Sequence, residues 1–115
     1  MRRWMLLTGL TVLLNGTVHA AELTGAWKLD GSVFFNSVDT TCHFKKEGEA
    51  LLATCENEQG PGAYTPVTIA GNQVTWSWDP GPAVLTFQGT LTSDTAMKGK
   101  IKVRGFTGSF EASKQ

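Results

Sequence analysis

Residues Ser37–Asn57, SVDTTCHFKKEGEALLATCEN, read as two strands joined at Gly48-Glu49. Pairing the arms about that turn sets Glu47 opposite Ala50, Lys46 opposite Leu51, Phe44 opposite Ala53 and Cys42 opposite Cys55. With a two-residue loop, Glu47 and Ala50 form a hydrogen-bonded pair and the pair types then alternate. Cys42 and Cys55 therefore meet at a non-hydrogen-bonded position, where strands come closest and a cross-strand disulfide fits best. The same register places Cys42, Phe44, Leu51, Ala53 and Cys55 on one face. Such a bridge stabilises by about 3 kcal/mol in the chain-entropy view, which matters for a domain whose core is small. A redox-active pair is the alternative. Against it, the cysteines form no C-x-x-C motif and have no cation on their own face to lower a thiol pKa.

The rest of the chain repeats this hairpin logic. A first strand from Leu23 to about Phe34 carries Gly25, Trp27, Leu29 and Val33 on one side and Lys28, Asp30 and Ser32 on the other. A turn at Phe35-Asn36 sets Val33 opposite Val38, Leu29 opposite Cys42 and Trp27 opposite Phe44. After the disulfide hairpin, Glu56 to Gly62 forms a polar loop with two glycines and a proline, expected to be a mobile rim. Gly71-Asn72 joins the fourth and fifth strands, with Ile69 opposite Val74, Val67 opposite Trp76 and Thr65 opposite Trp78. Asp79-Pro80-Gly81-Pro82 cannot continue a strand.

The sixth strand turns Leu85, Phe87, Gly89 and Leu91 inward, and Ser93-Asp94-Thr95 links it to the seventh. Leu91 then faces Met97, Gly89 faces Gly99, and Met97, Gly99, Ile101 and Val103 share the inner face. After Arg104-Gly105, the eighth strand turns Phe106, Gly108, Phe110 and Ala112 inward, with Phe110 opposite Gly99 and Lys98 opposite Glu111. The fold class is therefore all-β: an eight-stranded antiparallel up-and-down barrel, whose closure removes its edges. A two-sheet sandwich is the alternative, but it wants long Greek-key crossovers, and no connection here is long enough.

The first twenty residues read differently. Arg2-Arg3 precede an apolar run from Met5 to Leu14, a break at Asn15-Gly16, and small residues at Val18 and Ala20. This is the pattern of a secretory signal cleaved after Ala20, so residues 1–20 are expected to be a signal peptide and residues 21–115 the barrel domain. The apolar run is too short for a membrane span. Export places the mature chain in the periplasm or outside the cell, where a disulfide is permitted. Loss of Arg2 and Arg3 leaves eight cations against ten carboxylates, a net charge of −2. Nothing in that balance points to nucleic acid.

The inner face carries no carboxylate, His, Arg or Lys, so neither acid–base nor nucleophilic catalysis can be assembled there. No enzyme activity and no cofactor is expected. His43 is the only histidine after Ala20; it alternates outward, near Lys28 and Thr54, as a surface residue rather than a metal ligand. Two readings of the interior remain. Trp27, Phe44, Trp76, Trp78, Leu85, Phe87, Met97, Ile101 and Phe110 either fill the barrel as core or line a pocket for a small hydrophobic ligand. The glycines on strands six to eight either receive the tryptophans or leave space. If the interior is filled, the protein acts through its outside, as an envelope or protein-interaction module. Phe34, Leu52 and Val84 are expected to be exposed. The cations Lys98, Lys100, Lys102 and Arg104 form an outer stripe that either discourages aggregation or attracts an anionic envelope surface.

Gly25-Ala26-Trp27 resembles the G-x-W signature that opens the first strand of lipocalins and the wider calycin group. The mature chain also resembles small exported bacterial lipocalin-like proteins. The shared pattern is Trp27 in strand one, Cys42 and Cys55 in strands two and three, Gly71-Asn72-Gln73-Val74-Thr75-Trp76, Met97 to Gly99, and Gly108 to Phe110. The resemblance implies that Trp27 closes the barrel floor, with Lys114 from the last strand lying over it as a barrel-closing pair. The chain is much shorter than a typical lipocalin and lacks the flanking helix. Its opening is similar to that of avidins as well, but the polar and tyrosine positions of a biotin site have no match here, since Tyr64 alternates outward.

Overall fold

The computed structural model describes residues 18–58 and 60–115, so the expected leader lies almost wholly outside the described residues. A four-residue helix, α1 (Ala20–Leu23), leads into ten antiparallel strands. The first three are β1 (Gly25–Val33), β2 (Asn36–Glu47) and β3 (Ala50–Asn57). Three very short ones follow, β4 (Gly60–Pro61), β5 (Thr65–Pro66) and β6 (Thr68–Ala70). The last four are β7 (Gln73–Trp78), β8 (Leu85–Ser93), β9 (Ala96–Val103) and β10 (Phe106–Lys114). The sheet runs in the order β4-β3-β2-β1-β10-β9-β8-β7-β6, and β5 returns to pair with β3. The first and last long strands are thus neighbours, and the sheet curls into a barrel around the residues that alternation turns inward.

The disulfide hairpin has the register read from its sequence: Glu47 opposite Ala50, Phe44 opposite Ala53 and Cys42 opposite Cys55. Cys42 and Cys55 are bridged, with their Cα atoms 3.9 Å apart. The pairings of Gly89 with Gly99, Leu91 with Met97, and Phe110 with Gly99 are also as expected.

The first hairpin differs. Leu23 belongs to α1 and not to the strand, and the turn falls at Phe34-Phe35 instead of Phe35-Asn36. Val33 therefore pairs with Asn36, Leu29 with Thr40 and Trp27 with Cys42. The slip is two residues, so every side chain keeps its face. Phe34 takes φ 61, a left-handed conformation that costs a residue with a Cβ about 1–2 kcal/mol.

The fourth expected strand is broken, which is why ten strands appear where eight were expected. Only Thr68, Ile69 and Ala70 pair with β7. Thr65 and Pro66 pair with Ala53 and Leu52 of β3 instead, and the Val67 N–H donates to the Leu51 carbonyl at 2.9 Å. The Thr65 hydroxyl donates across to the Ser77 carbonyl at 2.8 Å. This segment therefore spans the seam between β3 and β7. Pro66 has no N–H to give a ladder, which suits a strand that is paired on one side at a time.

The expected mobile rim is also paired. Asn57 faces Gly60 and Glu56 faces Pro61, so the chain turns back at once and continues along β3. The Gly62 N–H donates to the Cys55 carbonyl at 3.1 Å. Thr54, outward by alternation yet buried, donates its hydroxyl to the Gly62 carbonyl at 2.6 Å.

Candidate functional site

One end of the barrel is stopped by the chain just before β1. Leu23 is fully buried, and its carbonyl accepts the Trp27 indole N–H at 3.0 Å. Val18 is buried as well, and its N–H donates to the Gly71 carbonyl at 2.8 Å. Lys114 stands opposite Trp27 in the β1–β10 register. Its ammonium passes Gly25 and donates to the Glu22 carbonyl at 2.9 Å. The lysine thus secures the helix beside Trp27, where α1 has backbone carbonyls left over at its C-terminal end.

All nine residues expected to line the interior, Trp27, Phe44, Trp76, Trp78, Leu85, Phe87, Met97, Ile101 and Phe110, are buried together. Trp76 sits at the centre of an aromatic cluster. Its ring stacks on Phe87 at 5.1 Å between centroids, and meets Phe44 edge-on at 5.0 Å and Phe110 edge-on at 5.9 Å. The space beside the glycine wall holds the Met97 sulfur and the tip of Phe110, both packed over Gly89.

The buried polar ones among the described residues are Thr40 and Thr54. Among the described residues no three His, Cys, Asp or Glu side chains are placed to hold a metal. One buried side-chain polar atom among the described residues has no hydrogen-bond partner: the indole N–H of Trp76, inside the cluster. A buried donor left unpaired costs about 1–3 kcal/mol. Nothing in the strand pattern predicts this, because the orphan arises from which rings surround Trp76 across the barrel.

On the outside, Lys98, Lys100, Lys102 and Arg104 are exposed along β9 and its turn, as expected. Lys98 faces Glu111 in register, and Arg104 donates to the Pro82 carbonyl at 2.6 Å. A concavity on this face is bordered by Asp30, Thr90, Lys98, Lys100 and Glu111 and by Met97 and Phe110. His43 lies opposite Ala26 and Thr54, not Lys28, because of the slipped first hairpin. It is half-buried and hydrogen-bonds Glu56 diagonally across the hairpin. Phe106, expected inside, is about half exposed. It begins β10 beyond the barrel's rim and packs on Phe34, with ring centroids 4.6 Å apart. Phe34 and Val84 are exposed as expected, whereas Leu52 is half-buried beside β5.

No family model matches the chain, and no curated protein matches it. Its fold is similar to a redesigned β-barrel, with a TM-score of 0.69 at 18% identity over 84% of this chain and 94% of that one. It is also similar to another redesigned β-barrel, mFAP1, bound to DFHBI. That match has a TM-score of 0.59 at 15% identity over 84% of this chain and 97% of that one. Together with the strand order, these likenesses define the chain as an antiparallel β-barrel protein.

Proposed function

We propose that the barrel binds a small hydrophobic molecule that carries a hydrogen-bond acceptor, and performs no chemistry on it. The unpartnered Trp76 N–H carries this reading. A carbonyl or ether oxygen seated there offsets the cost of burying that donor, while Phe44, Phe87 and Phe110 supply apolar contact around it. Met97 is the unbranched, adaptable side chain that can yield space over Gly89. The mFAP1 barrel, bound to DFHBI, supports the idea that such a fold can hold a small molecule. The calycin-like opening Gly25-Ala26-Trp27 and the expected export signal fit a carrier in the periplasm or outside the cell.

Native mass spectrometry of the protein, purified from cells expressing the full sequence, tests this. A non-covalent adduct is expected on the wild type, and Trp76→Phe, which keeps a ring but removes the donor, is expected to lose it. A clean apo mass, together with a buried water bonded to the Trp76 N–H, overturns the reading. The exposed cations of β9 favour a second role at the outer surface, attraction to an anionic envelope.

A further inference from the structure

Three phenylalanines stand in solvent at the end of the barrel away from α1. Phe35 is 98% exposed, Phe34 69% and Phe106 47%. They come from two hairpin ends made neighbours by the β1–β10 pairing. The rings are already assembled, with Phe34 5.7 Å from Phe35 and 4.6 Å from Phe106 between centroids. Val84 is exposed on the loop that Arg104 holds through the Pro82 carbonyl.

Turn chemistry does not account for this. A hairpin whose first turn residue is left-handed favours glycine there, and this one places Phe34 at φ 61. Neither is burial an account, since Phe35 touches little but Phe34. A position that breaks a local rule with no gain to the fold marks a functional surface.

We propose that this end is a membrane-docking tip. Phe34 and Phe35 enter the headgroup–acyl boundary of an anionic bilayer, while Lys102 and Arg104 meet lipid phosphates. Both cations are exposed on the hairpin adjoining the phenylalanines. Of the acidic groups toward this end, Asp79 accepts the Gly81 N–H within its own turn, Glu58 lies on the β3–β4 turn, with β2 and β3 between it and the tip, and Asp30 and Asp39 face each other further down β1 and β2, behind the phenylalanines. Aromatic rings flanked by cations are what such a boundary retains. A second copy of the chain suits the tip less well. The three rings present roughly 400 Å² in all, on full side-chain areas of 150–250 Å² each, about half of the ~800 Å² per partner that a stable interface buries.

The test is co-sedimentation with vesicles of phosphatidylcholine and phosphatidylglycerol in equal amounts, against vesicles of phosphatidylcholine alone. The protein is purified from cells expressing the full sequence, so wild type and variants carry the same N-terminus. Wild type is expected to pellet with the anionic vesicles. Phe34→Gly with Phe35→Ser is expected to lower partitioning roughly tenfold or more, with an unchanged melting curve showing that the fold is kept. Lys102→Gln with Arg104→Gln is expected to remove the part of binding that salt weakens. Equal pelleting by the folded phenylalanine variant overturns the proposal, as does wild type that stays in the supernatant with both vesicles. A phenylalanine-dependent dimer in analytical ultracentrifugation overturns it in favour of a second copy. None of these outcomes bears on the interior ligand, so the two readings stand or fall separately.

Discussion

The Lys114 ammonium donates to the carbonyl oxygen of Glu22 at 2.9 Å, tying the end of the last strand to the helix that precedes the first. The bond is charge-assisted and partly buried. It holds Leu23 where its own carbonyl can accept the Trp27 N–H. Replacing Lys114 with Met keeps the aliphatic stem and removes the donor. The expected loss is about 1–2 kcal/mol, seen as a fall in Tm of roughly 5–10 °C. Lys114→Arg recovers part of it.

The disulfide offers a larger effect. Cys42 and Cys55 are both fully buried, and the bridge closes a hairpin whose strands are also held by their ladder. Cys42→Ala with Cys55→Ala is expected to lower unfolding free energy by about 3 kcal/mol. Urea unfolding measures this, with the midpoint falling and the slope rising slightly as the unbridged denatured chain expands. Reductant added to the folded wild type acts slowly, because both sulfurs lie behind the β-sheet.

Glycines that look alike in sequence should respond in opposite ways. A Cβ on Gly99 would sit 1.9 Å from the Gln88 carbonyl oxygen, a backbone atom that cannot swing aside. Gly99→Ala is expected to cost about 3 kcal/mol or more, at the upper end of overpacking effects. At Gly48, φ is +63 and nothing lies within 4 Å, so Gly48→Ala costs about 1 kcal/mol from backbone conformation alone. Thermal denaturation of the two variants separates close approach from turn geometry.

Thr54→Val tests the paired rim. The substitution keeps shape but leaves the Gly62 carbonyl without its donor. A loss of about 1–2 kcal/mol is expected. Amide exchange at Gly62 should quicken more than at Cys42, whose amide faces β1 on the far side of β2.

Alternation of side chains made the inner face readable, because a period of two is insensitive to slips of two. This is why Trp27 and Leu29 were placed inside correctly although their partners on β2 were not. Tight turns with Gly at a left-handed position set the whole hairpin at Gly48 and, at Gly71, only the pairs next to the turn, from Thr68 to Ala70. The first turn was misplaced because Asn36 looked the better turn residue, whereas the chain sets Phe34 in the left-handed position. The polar run from Glu56 to Gly62 concealed a hairpin, since composition alone does not distinguish a loop from a strand with Gly and Pro at a seam. Alternation places Phe106 inside because it says which side a residue faces and not where the barrel ends. The residues expected to line the interior were legible for the same reason as the core. The orphaned Trp76 donor was not, because it depends on contacts between strands far apart in the chain.

The segment from Thr65 to Ala70 gives its first half to β3 and its second to β7. It clasps an otherwise continuous ribbon of hairpins. Releasing it, together with the Phe44–Trp76 contact that crosses the same seam, would unroll the cylinder there and leave the long hairpins paired. Two strand margins are then bare, and a neighbouring molecule's own clasp can lie down in their place. Crowded, unclasped copies would thus exchange this piece and link into chains, which makes Pro66 a guard as much as a break, since a strand that lacks an amide hydrogen is a poor template for the next.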